Sequence, residues 1–426
     1  MKKSQLINTL QRRNTAPVPG APSAEIGETR RRAHVHVRRG WLGKAALPLF
    51  VTMVCAPLGN FASGFGVSAQ AADSPVPDVK PKKPAPKFRV FSSAGIDNPG
   101  GVAVDGSGNV WVASHGDNSV IEIPAGATTS KSLVKITGGG LEGPAGVAVD
   151  SANNVWVTNQ KGNSVTELPV GSPKSPVNFT GGGISNPFGI AVDLNGKIWI
   201  ANCGLGFCQG PNAVSTVTEL NPDGSAVTGS PFLGEWGAGS FLGIAVSKNN
   251  DIMIADAFDQ QVFRLIGGVP AYAQFGDSGG QFNFPAGIAT DASGNAWVTN
   301  ASQYGSVVTE LANDNPIAKG VDFSAASISA PSGVAVDGAG NVWVANVHSN
   351  CVTEIPAGGI AAPVKFTAKG ISFPTGLAID GGGNVWVASF GHTIDGKGKG
   401  AGNVIELIGV ASPVLTPVIG PPQPKP

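Results

Sequence analysis

A stretch of 14 residues recurs seven times along this chain of 426 residues. It first reads GVAVDGSGNVWVAS at 101–114, and the six further occurrences begin at 146, 189, 243, 287, 333 and 376. Successive occurrences are separated by 43 to 54 residues. A repeat of this length with three or four strand patterns is typical of one blade of a β-propeller, whereas solenoid repeats are shorter or helical. We therefore predict an all-β, seven-bladed β-propeller.

Each repeat has the same predicted order of elements. GVAVD is a strand of small and β-branched residues, and the Asp, Gly and Asn residues after it favour a hairpin turn. NVWVAN, NSVTEL and SPVNFT then supply a second, a third and a fourth strand. The first strand of a blade lies nearest the axis, where crowding favours Gly and Ala. This composition therefore suits the predicted arrangement.

A tryptophan recurs on the second strand of six repeats, and methionine replaces it in the fourth. We expect this large flat side chain to fill the space between neighbouring blades. The Asp that ends each first strand is expected to cap its own hairpin, and the third-strand Glu to be exposed or ion-paired. Neither carboxylate set is therefore predicted to bind a metal. The six tryptophans are Trp111, Trp156, Trp199, Trp297, Trp343 and Trp386.

Closure of the ring requires one more strand, and the sequence offers two candidates. FRVFSSAG at 88–95 matches the fourth-strand segments VNFTGGG and VKFTAKG, and ASPVLTPVI at 411–419 is the alternative. Either could complete blade seven beside the last repeat. We assign the propeller to residues 88–415 and predict a disordered, Pro-rich tail over 416–426.

The N-terminal region has the features of an export signal. Residues 1–71 hold ten Lys and Arg against two acidic residues, and the rest of the chain holds 18 against 26. The basic segment is followed by an interrupted apolar run and by Ala69-Gln70-Ala71, a small-x-small cleavage pattern. Pro48, Pro57 and Gly59 make the run too short to span a membrane. Arg38-Arg39 leaves a twin-arginine route open beside the ordinary secretory one.

The mature chain is thus predicted to be periplasmic or extracellular and to lack a transmembrane segment. Residues 72–87, rich in Pro and Lys, form a predicted linker. The acidic excess of the remaining chain is a poor match for a phosphate backbone, so we predict that nucleic acid is not a partner. We expect a monomer whose partner is a protein, peptide, glycan or small molecule.

Two cysteines lie close together in the segment ANCGLGFCQG. In an oxidising compartment, Cys203 and Cys208 are expected to form a small-loop disulfide. A zinc site would need further thiolates or imidazoles, and this segment contains none. Cys351 stands where other repeats have Ser and is predicted to be a small packing residue.

The repeated pattern P-x-G-[VIL]-A-[VI]-D followed by N-[VI]-W-[VI]-[AT]-[NS] resembles NHL-repeat propellers. Within that group it is most similar to the streptogramin (virginiamycin B) lyases, over about residues 90–410. The resemblance implies a carbon–oxygen lyase that opens a cyclic ester by elimination, with a His base and a magnesium ion held by a Glu. The lyases have a Glu after the second strand, whereas this chain has Ser, Asn or Asp at that position.

Candidate site residues lie in the loops after the second strands and just before the first-strand Gly. The three histidines of the predicted mature chain, His115, His348 and His392, all fall in those loops and are candidate bases or metal ligands. The candidate ligand-binding residues are Phe188, Leu242, Ser332, Thr375, Asn159 and Asn346. Two functions remain open: a binding scaffold that uses its loop-rich face, and a lyase with a divalent metal such as magnesium.

Overall fold

A computed structural model describes residues 86–92, 95–203, 215–232, 239–268, 272–275, 282–301, 306–312, 320–359, 361–391 and 402–425. The predicted export signal and residues 72–85 of the predicted linker lie outside these ranges, so both stay predictions. Within the ranges, none of the helices has the length and apolar character needed to cross a membrane.

The described residues form 27 strands in seven antiparallel sheets, one for each repeat. The predicted seven-bladed β-propeller is thereby confirmed. Blade one comprises β2 (Pro99–Val104), β3 (Val110–Ser114), β4 (Ser119–Ile123) and β5 (Val134–Thr137). Blade two comprises β6 (Pro144–Val149), β7 (Val155–Asn159), β8 (Ser164–Leu168) and β9 (Val177–Phe179). Blade three comprises β10 (Pro187–Val192), β11 (Ile198–Asn202) and β12 (Thr216–Leu220). Blades four and five comprise β13 (Phe241–Val246), β14 (Ile252–Asp256), β15 (Gln261–Leu265), β16 (Tyr272–Phe275); β17 (Pro285–Thr290), β18 (Ala296–Asn300), β19 (Val307–Leu311), β20 (Val321–Phe323). Blades six and seven comprise β21 (Pro331–Val336), β22 (Val342–Asn346), β23 (Cys351–Ile355), β24 (Val364–Phe366); β25 (Pro374–Ile379), β26 (Val385–Ser389), β27 (Asn403–Leu407), β1 (Phe88–Ser92).

Short 3-10 helices occur at Ser130–Ser132, Ile266–Gly268 and Ala357–Gly359. In blade three, isolated bridges from Phe232 to Val217 and from Ala226 to Leu220 stand where the other blades have a fourth strand.

The N-terminal candidate closes the ring. Strand β1 pairs antiparallel with β27, so blade seven has the order β25-β26-β27-β1. The ring centroid of Phe91 in β1 lies 5.6 Å from that of Trp386. A fourth-strand Phe packs on the Trp in the same way in other blades. Arg89 binds the carboxylate of Glu406 at 2.7 Å across the same pair of strands. The first and last strands of the propeller therefore meet within one sheet.

Each tryptophan packs between its own blade and the next one. Trp156 of blade two is fully buried and shares a cluster with Ile190 and Ile198 of blade three. Trp386 of blade seven packs in the same way against Val102 and Val104 of blade one, which completes the circle. The tryptophans therefore fill the space between neighbouring blades, as predicted.

The tryptophan also makes a hydrogen bond that the sequence analysis did not anticipate. In blade one, Asp105 Oδ1 accepts the backbone N–H groups of Ser107 and Asn109, and its Oδ2 accepts the indole N–H of Trp111 at 3.0 Å. The capping predicted for this Asp is therefore only half of its contacts. The other indole-to-carboxylate bonds, of 2.8 to 3.2 Å, join Trp156–Asp150, Trp199–Asp193, Trp297–Asp291, Trp343–Asp337 and Trp386–Asp380.

In blade four, all the residues of this arrangement are different. Ser247 stands in place of the Asp, Met253 in place of the Trp, and Asp251 in place of the turn Asn. Arg264 occupies the third-strand position held elsewhere by Glu, and its guanidinium binds Asp251. The Asp251 carboxylate thus pairs with a guanidinium in blade four, where the other blades pair the first-strand Asp with an indole.

First-strand glycines set the close approach of neighbouring blades at the axis. A Cβ built on Gly189 would lie 2.4 Å from the carbonyl oxygen of Leu242, and one on Gly333 would lie 2.3 Å from that of Thr375. Between blades seven and one, Gly376 faces the carbonyl of Gly100 at 2.3 Å. No side chain fits these positions, which explains why every repeat has Gly here.

The C-terminal tail differs from the prediction. Residues 413–425 fold back on themselves, with Leu415 N–H donating to Gln423 O at 2.8 Å and Lys425 N–H to Pro413 O at 3.2 Å. Val414 is 1% exposed, and Gly420 approaches Leu194 of blade three. The tail therefore lies across the turn end of the propeller, because its apolar residues find a surface there that a local sequence pattern does not reveal.

Replacing Trp156 with Phe should test the indole–carboxylate pair. The substitution removes buried volume and one of the donors to Asp150 Oδ2, so the free energy of unfolding should fall by about 2–3 kcal/mol. Met253→Leu, at the equivalent position of blade four, is the control and should cost about 1 kcal/mol or less. Urea unfolding followed by tryptophan fluorescence measures both. Equal losses would show that the indole is not the anchor of the blade.

The Arg89–Glu406 pair should matter more than an exposed ion pair, because the Glu406 side chain is only 5% exposed. Arg89→Met leaves this carboxylate without its cation and should lower the free energy of unfolding by about 2 kcal/mol. Adding Glu406→Gln should restore most of the loss. Lys135→Met, which breaks the more exposed pair with Asp117, should cost about 0.5 kcal/mol. Urea unfolding measures all three variants.

Candidate functional site

A cavity of about 260 Å³ lies on the axis at the end where the loops after the second strands gather. The residue before each first-strand Gly lines it, as predicted from the repeat. Those residues are Gly100, Ala145, Phe188, Leu242, Ala286, Ser332 and Thr375. The two hydroxyls in this set are bonded within the ring, Thr375 Oγ1 to Pro99 O at 2.9 Å and Ser332 Oγ to Thr375 O at 3.3 Å. The free surface of the cavity is therefore mostly apolar.

A ring of aliphatic side chains forms the floor of this cavity. The same ring also lines a second cavity of about 270 Å³ on the turn side, to which Val414, Val418, Gly420 and Pro422 of the tail contribute. The ring consists of Val102, Val147, Ile190, Ile244, Ile288, Val334 and Leu377. The axis is thus narrowed by apolar side chains between its two ends.

The residue that follows the second strand lines the wall of the cavity in three blades, and it is polar in two of them, blades one and two. His115 and Gln160 hold this position in those blades, and Phe390 holds it in blade seven. The backbone N–H groups of His115 and Gln160 donate to Asn98 O and Gly143 O, at 3.2 and 2.9 Å. Equivalent bonds hold the other blades, so the side chain is the part that is free to vary.

His115 is held in its neutral form. The residue is 9% exposed. Burial and then the charge of Lys161 lower its pKa from 6.5 to about 4, and hydrogen bonds to the backbone of Pro144 and Gly143 oppose this only partly. At neutral pH the cavity therefore presents an uncharged imidazole.

Gln160 is a site residue that the sequence analysis missed. It is 7% exposed, and its Nε2 has no hydrogen-bond partner among the described residues. An unpaired buried donor costs free energy unless something accepts from it. Alignment of the repeats one residue after the second strand would have identified it, because the other residues there are Cys203, Ala257, Ala301, Val347 and Phe390, with His115 the remaining polar one.

The structure does not bring the other predicted polar residues to the cavity. Asn159 and Asn346 are fully buried, and their amide nitrogens donate to Thr166 and Thr353 at 2.8 and 3.0 Å. We therefore assign both amides to the blades rather than to a ligand. His348 is exposed and does not line the cavity.

Two further predicted residues lie outside the described ranges, namely His392 and Cys208. Cys203 is disulfide-bonded and fully buried. Its pairing with Cys208 stays a prediction. Cys351 is a buried free thiol.

Blade four contributes a perturbed carboxyl group beside the loop end. Asp256 ends β14 and is fully buried. Burial raises its pKa to about 6, and the charge of Asp259 adds to the rise, while backbone N–H donors act the other way. Asp256 does not line the axial cavity.

A magnesium ion, which resemblance to the lyases implies, does not fit the described part of the cavity. The lining includes one imidazole, His115, and no carboxylate. Over the residues that the structure describes, no three His, Cys, Asp or Glu side chains are grouped so as to hold a metal ion.

The molecule is a seven-bladed propeller with an apolar axial cavity, and solved structures of the same fold are known. Virginiamycin B lyase from Staphylococcus aureus matches with a TM-score of 0.62 and 15% identity, over 76% of this chain and 99% of that one. A streptogramin B lyase matches with a TM-score of 0.59 and 14% identity, over 75% and 97%. The extracellular domain assigned to a hybrid two-component system of B. thetaiotaomicron matches with a TM-score of 0.57 and 14% identity, over 76% of this chain and 41% of that one.

No protein-family model and no curated protein sequence matches this chain. At identities of 14–15% the similarity to the solved structures is one of fold. It supports the resemblance in architecture to the streptogramin lyases that the repeat pattern indicated.

The lowered pKa of His115 should make the fold sensitive to acid. Below pH 6.5 the unfolded chain binds a proton at this residue that the folded protein does not accept until about pH 4. Stability should fall over this window by about 3 kcal/mol at most. His115→Gln, which introduces the residue of blade two, should flatten this part of the pH profile of chemical unfolding. His348→Gln, at an exposed position, is the control. If the pH profile of His115→Gln is the same as that of the wild type, His115 is not the group that makes the fold sensitive to acid.

Proposed function

We propose that this protein is an exported binding scaffold of the NHL-repeat type, periplasmic or extracellular, that holds a neutral, largely apolar ligand in the axial cavity. The observation that carries the proposal is the combination of an apolar cavity of about 260 Å³ with one unpaired buried donor, Gln160 Nε2. Pockets of this size and character suit small organic molecules or an inserted side chain of a peptide. The ligand should carry a hydrogen-bond acceptor that meets blades one and two.

Neutral His115 supports binding more than catalysis. A general base works best when its pKa is near the working pH, and a pKa of about 4 makes His115 a weak proton acceptor at neutral pH. Its imidazole is instead suited to hydrogen bonding with a ligand beside Gln160. The specificity of the site would then reside in these two side chains.

A lyase acting on a cyclic ester is the second candidate. It is favoured by the likeness in fold to virginiamycin B lyase and by an imidazole on the cavity wall. In such an elimination a base removes a proton from the carbon adjacent to the one that bears the ester oxygen. The released electron pair forms a carbon–carbon double bond, the carbon–oxygen bond breaks, and the carboxylate leaves with the electron pair of that bond. His115, His348 and His392 are the candidate bases.

Blocking the cavity should distinguish binding there from binding elsewhere. Nile red, a neutral apolar dye, should bind the wild type with increased fluorescence, and Ala145→Trp should abolish this because the indole would fill the cavity. Ala152→Trp places the same side chain on the exposed turn at the other end of blade two and should bind as the wild type does. Gln160→Leu should weaken the binding of ligands that carry an acceptor, including Nile red with its ring carbonyl, about tenfold by the loss of one hydrogen bond. Binding that survives Ala145→Trp would contradict the proposed site.

The lyase candidate can be tested with quinupristin, which a solved structure of an inactive virginiamycin B lyase variant contains. Elimination gives a linear product of unchanged mass, whereas hydrolysis adds the mass of water, so chromatography with mass spectrometry separates the two outcomes. Turnover that is lost in one of His115→Ala, His348→Ala or His392→Ala would establish catalysis. If the intact ring remains, the protein does not act on this substrate.

A further inference from the structure

The second cavity, at the turn end of the axis, has no part in the proposed function. This turn-end cavity has a volume of about 270 Å³ and shares the aliphatic ring with the axial cavity. The tail supplies four of its lining residues, Val414, Val418, Gly420 and Pro422. All the others are runs of three residues in the first strands, which begin at Val102, Val147, Ile190, Ile244, Ile288, Val334 and Leu377. The cavity therefore lies between the seven blades and the chain's own C-terminal tail.

The lining of the turn-end cavity differs in chemistry from that of the axial cavity. Its residues are Val, Ile, Leu, Ala, Gly and Pro with one exception, Thr290, whose hydroxyl donates to the carbonyl oxygen of Val246 at 2.6 Å. The axial cavity instead presents the imidazole of His115 and the unpaired Nε2 of Gln160. A polar ligand would find no free side-chain partner at the turn end, so entering this cavity would cost it hydrogen bonds to water. The lining therefore favours a molecule that has few polar groups or none.

The tail is tied to the blades at one end of its length. Ser412 N–H donates to Asp337 Oδ2 at 3.0 Å, and Val414 N–H donates to Asp380 O at 3.4 Å. Beyond this point, the hydrogen bonds found over the described residues 415–425 stay within the tail itself. Residues 415–425 can therefore swing away from the propeller without breaking a hydrogen bond to a blade.

The far side of the tail meets the propeller through apolar contact. A Cβ built on Gly420 would lie 2.8 Å from Leu194 Cδ2 of blade three, and Leu194 is itself 49% exposed. Val418 lines the cavity and is still 45% exposed. Segments with few buried apolar contacts open locally at small cost in free energy. The cavity can therefore be reached from solvent beside Val418.

We propose that the turn-end cavity is a second binding site, which takes a small neutral hydrocarbon-like molecule, and that residues 415–425 are its hinged lid. An apolar cavity of about 150 Å³ holds benzene, so the larger volume here suits a substituted ring or a compact branched hydrocarbon. Removal of the ligand and of the cavity wall from water would drive binding. This inference goes beyond the proposed function and does not depend on it.

The test is equilibrium dialysis with toluene, a neutral hydrocarbon, in the Ala145→Trp protein, whose axial cavity is filled by the indole. We expect one bound molecule per chain with a Kd of about 0.1–1 mM. Adding Val418→Asp places a carboxylate on the cavity wall and should raise this Kd about tenfold or more. Leu415→Asp is the matched control, because it adds the same charge to the same segment at a residue that is 46% exposed and does not line the cavity. It should leave the Kd unchanged.

A chain that ends at Val414 tests the lid separately. It keeps the hydrogen bonds to Asp337 and Asp380 and loses the part of the wall that Val418 and Pro422 form. Its Kd for toluene should rise about tenfold, because the bound molecule would be left more exposed to water. The proposal is overturned if the Ala145→Trp protein does not bind toluene at about 2 mM, above the expected Kd. Equal effects of Val418→Asp and Leu415→Asp, or an unchanged Kd in the shortened chain, overturn it as well.

The two cavities can be told apart in the same set of variants. Nile red binding that survives Ala145→Trp and is lost on adding Val418→Asp would place the dye at the turn end and support a second site there. Loss of toluene binding in the Ala145→Trp protein, with Nile red still bound by the wild type, would overturn the turn-end site and leave the axial site standing.

Discussion

The structure depends on one carboxylate per blade that serves two partners at once. The Asp at the end of the first strand holds the hairpin turn through Oδ1 and the indole N–H of the second-strand Trp through Oδ2, as Asp150 does for Ala152, Asn154 and Trp156. The indole in turn packs against the next blade. A local turn, the position of a large side chain and the contact between blades are therefore fixed by one group. In blade four Ser247 Oγ holds the turn and the buried Asp251 carboxylate pairs with Arg264 instead of an indole.

The positions near the axis are of two kinds: those where every repeat needs the same residue and those where the residue may vary. Backbone carbonyls of one blade approach the first-strand Gly of its neighbour so closely that the side chain there is excluded. The residue before that Gly lines the cavity in every blade, and the residue after the second strand does so in blades one, two and seven. Chemical character can change at these positions without cost to the fold. The polar pair His115 and Gln160 is the result in this chain, against a wall that is otherwise mostly apolar.

Neighbouring positions along a strand explain which site residues could be predicted. Asn346 ends the second strand and is buried against the third, while His348 lies two residues beyond the end of that strand and is exposed. His115 directly follows its second strand and faces the cavity, whereas His348 follows one residue later. Residue type alone placed the three histidines together, but an offset of one residue separates His115 from His348. Phe188, Leu242, Ser332 and Thr375 line the cavity because the repeat itself fixes their register, and their binding of a ligand stays a prediction.

The sequence by itself determined the period, the order of strands, the number of blades and the wedge of tryptophans, because turns, alternation and side-chain size act over a few residues and recur seven times. Only the tertiary structure decided that β1 rather than the C-terminal segment closes the ring, and that the tail folds across the turn end. It also decided that Asp256 is left with an unpaired oxygen beside Gly239 and Ser215. These outcomes depend on which residues meet from distant parts of the chain, and neither the composition of a segment nor its periodicity contains that information.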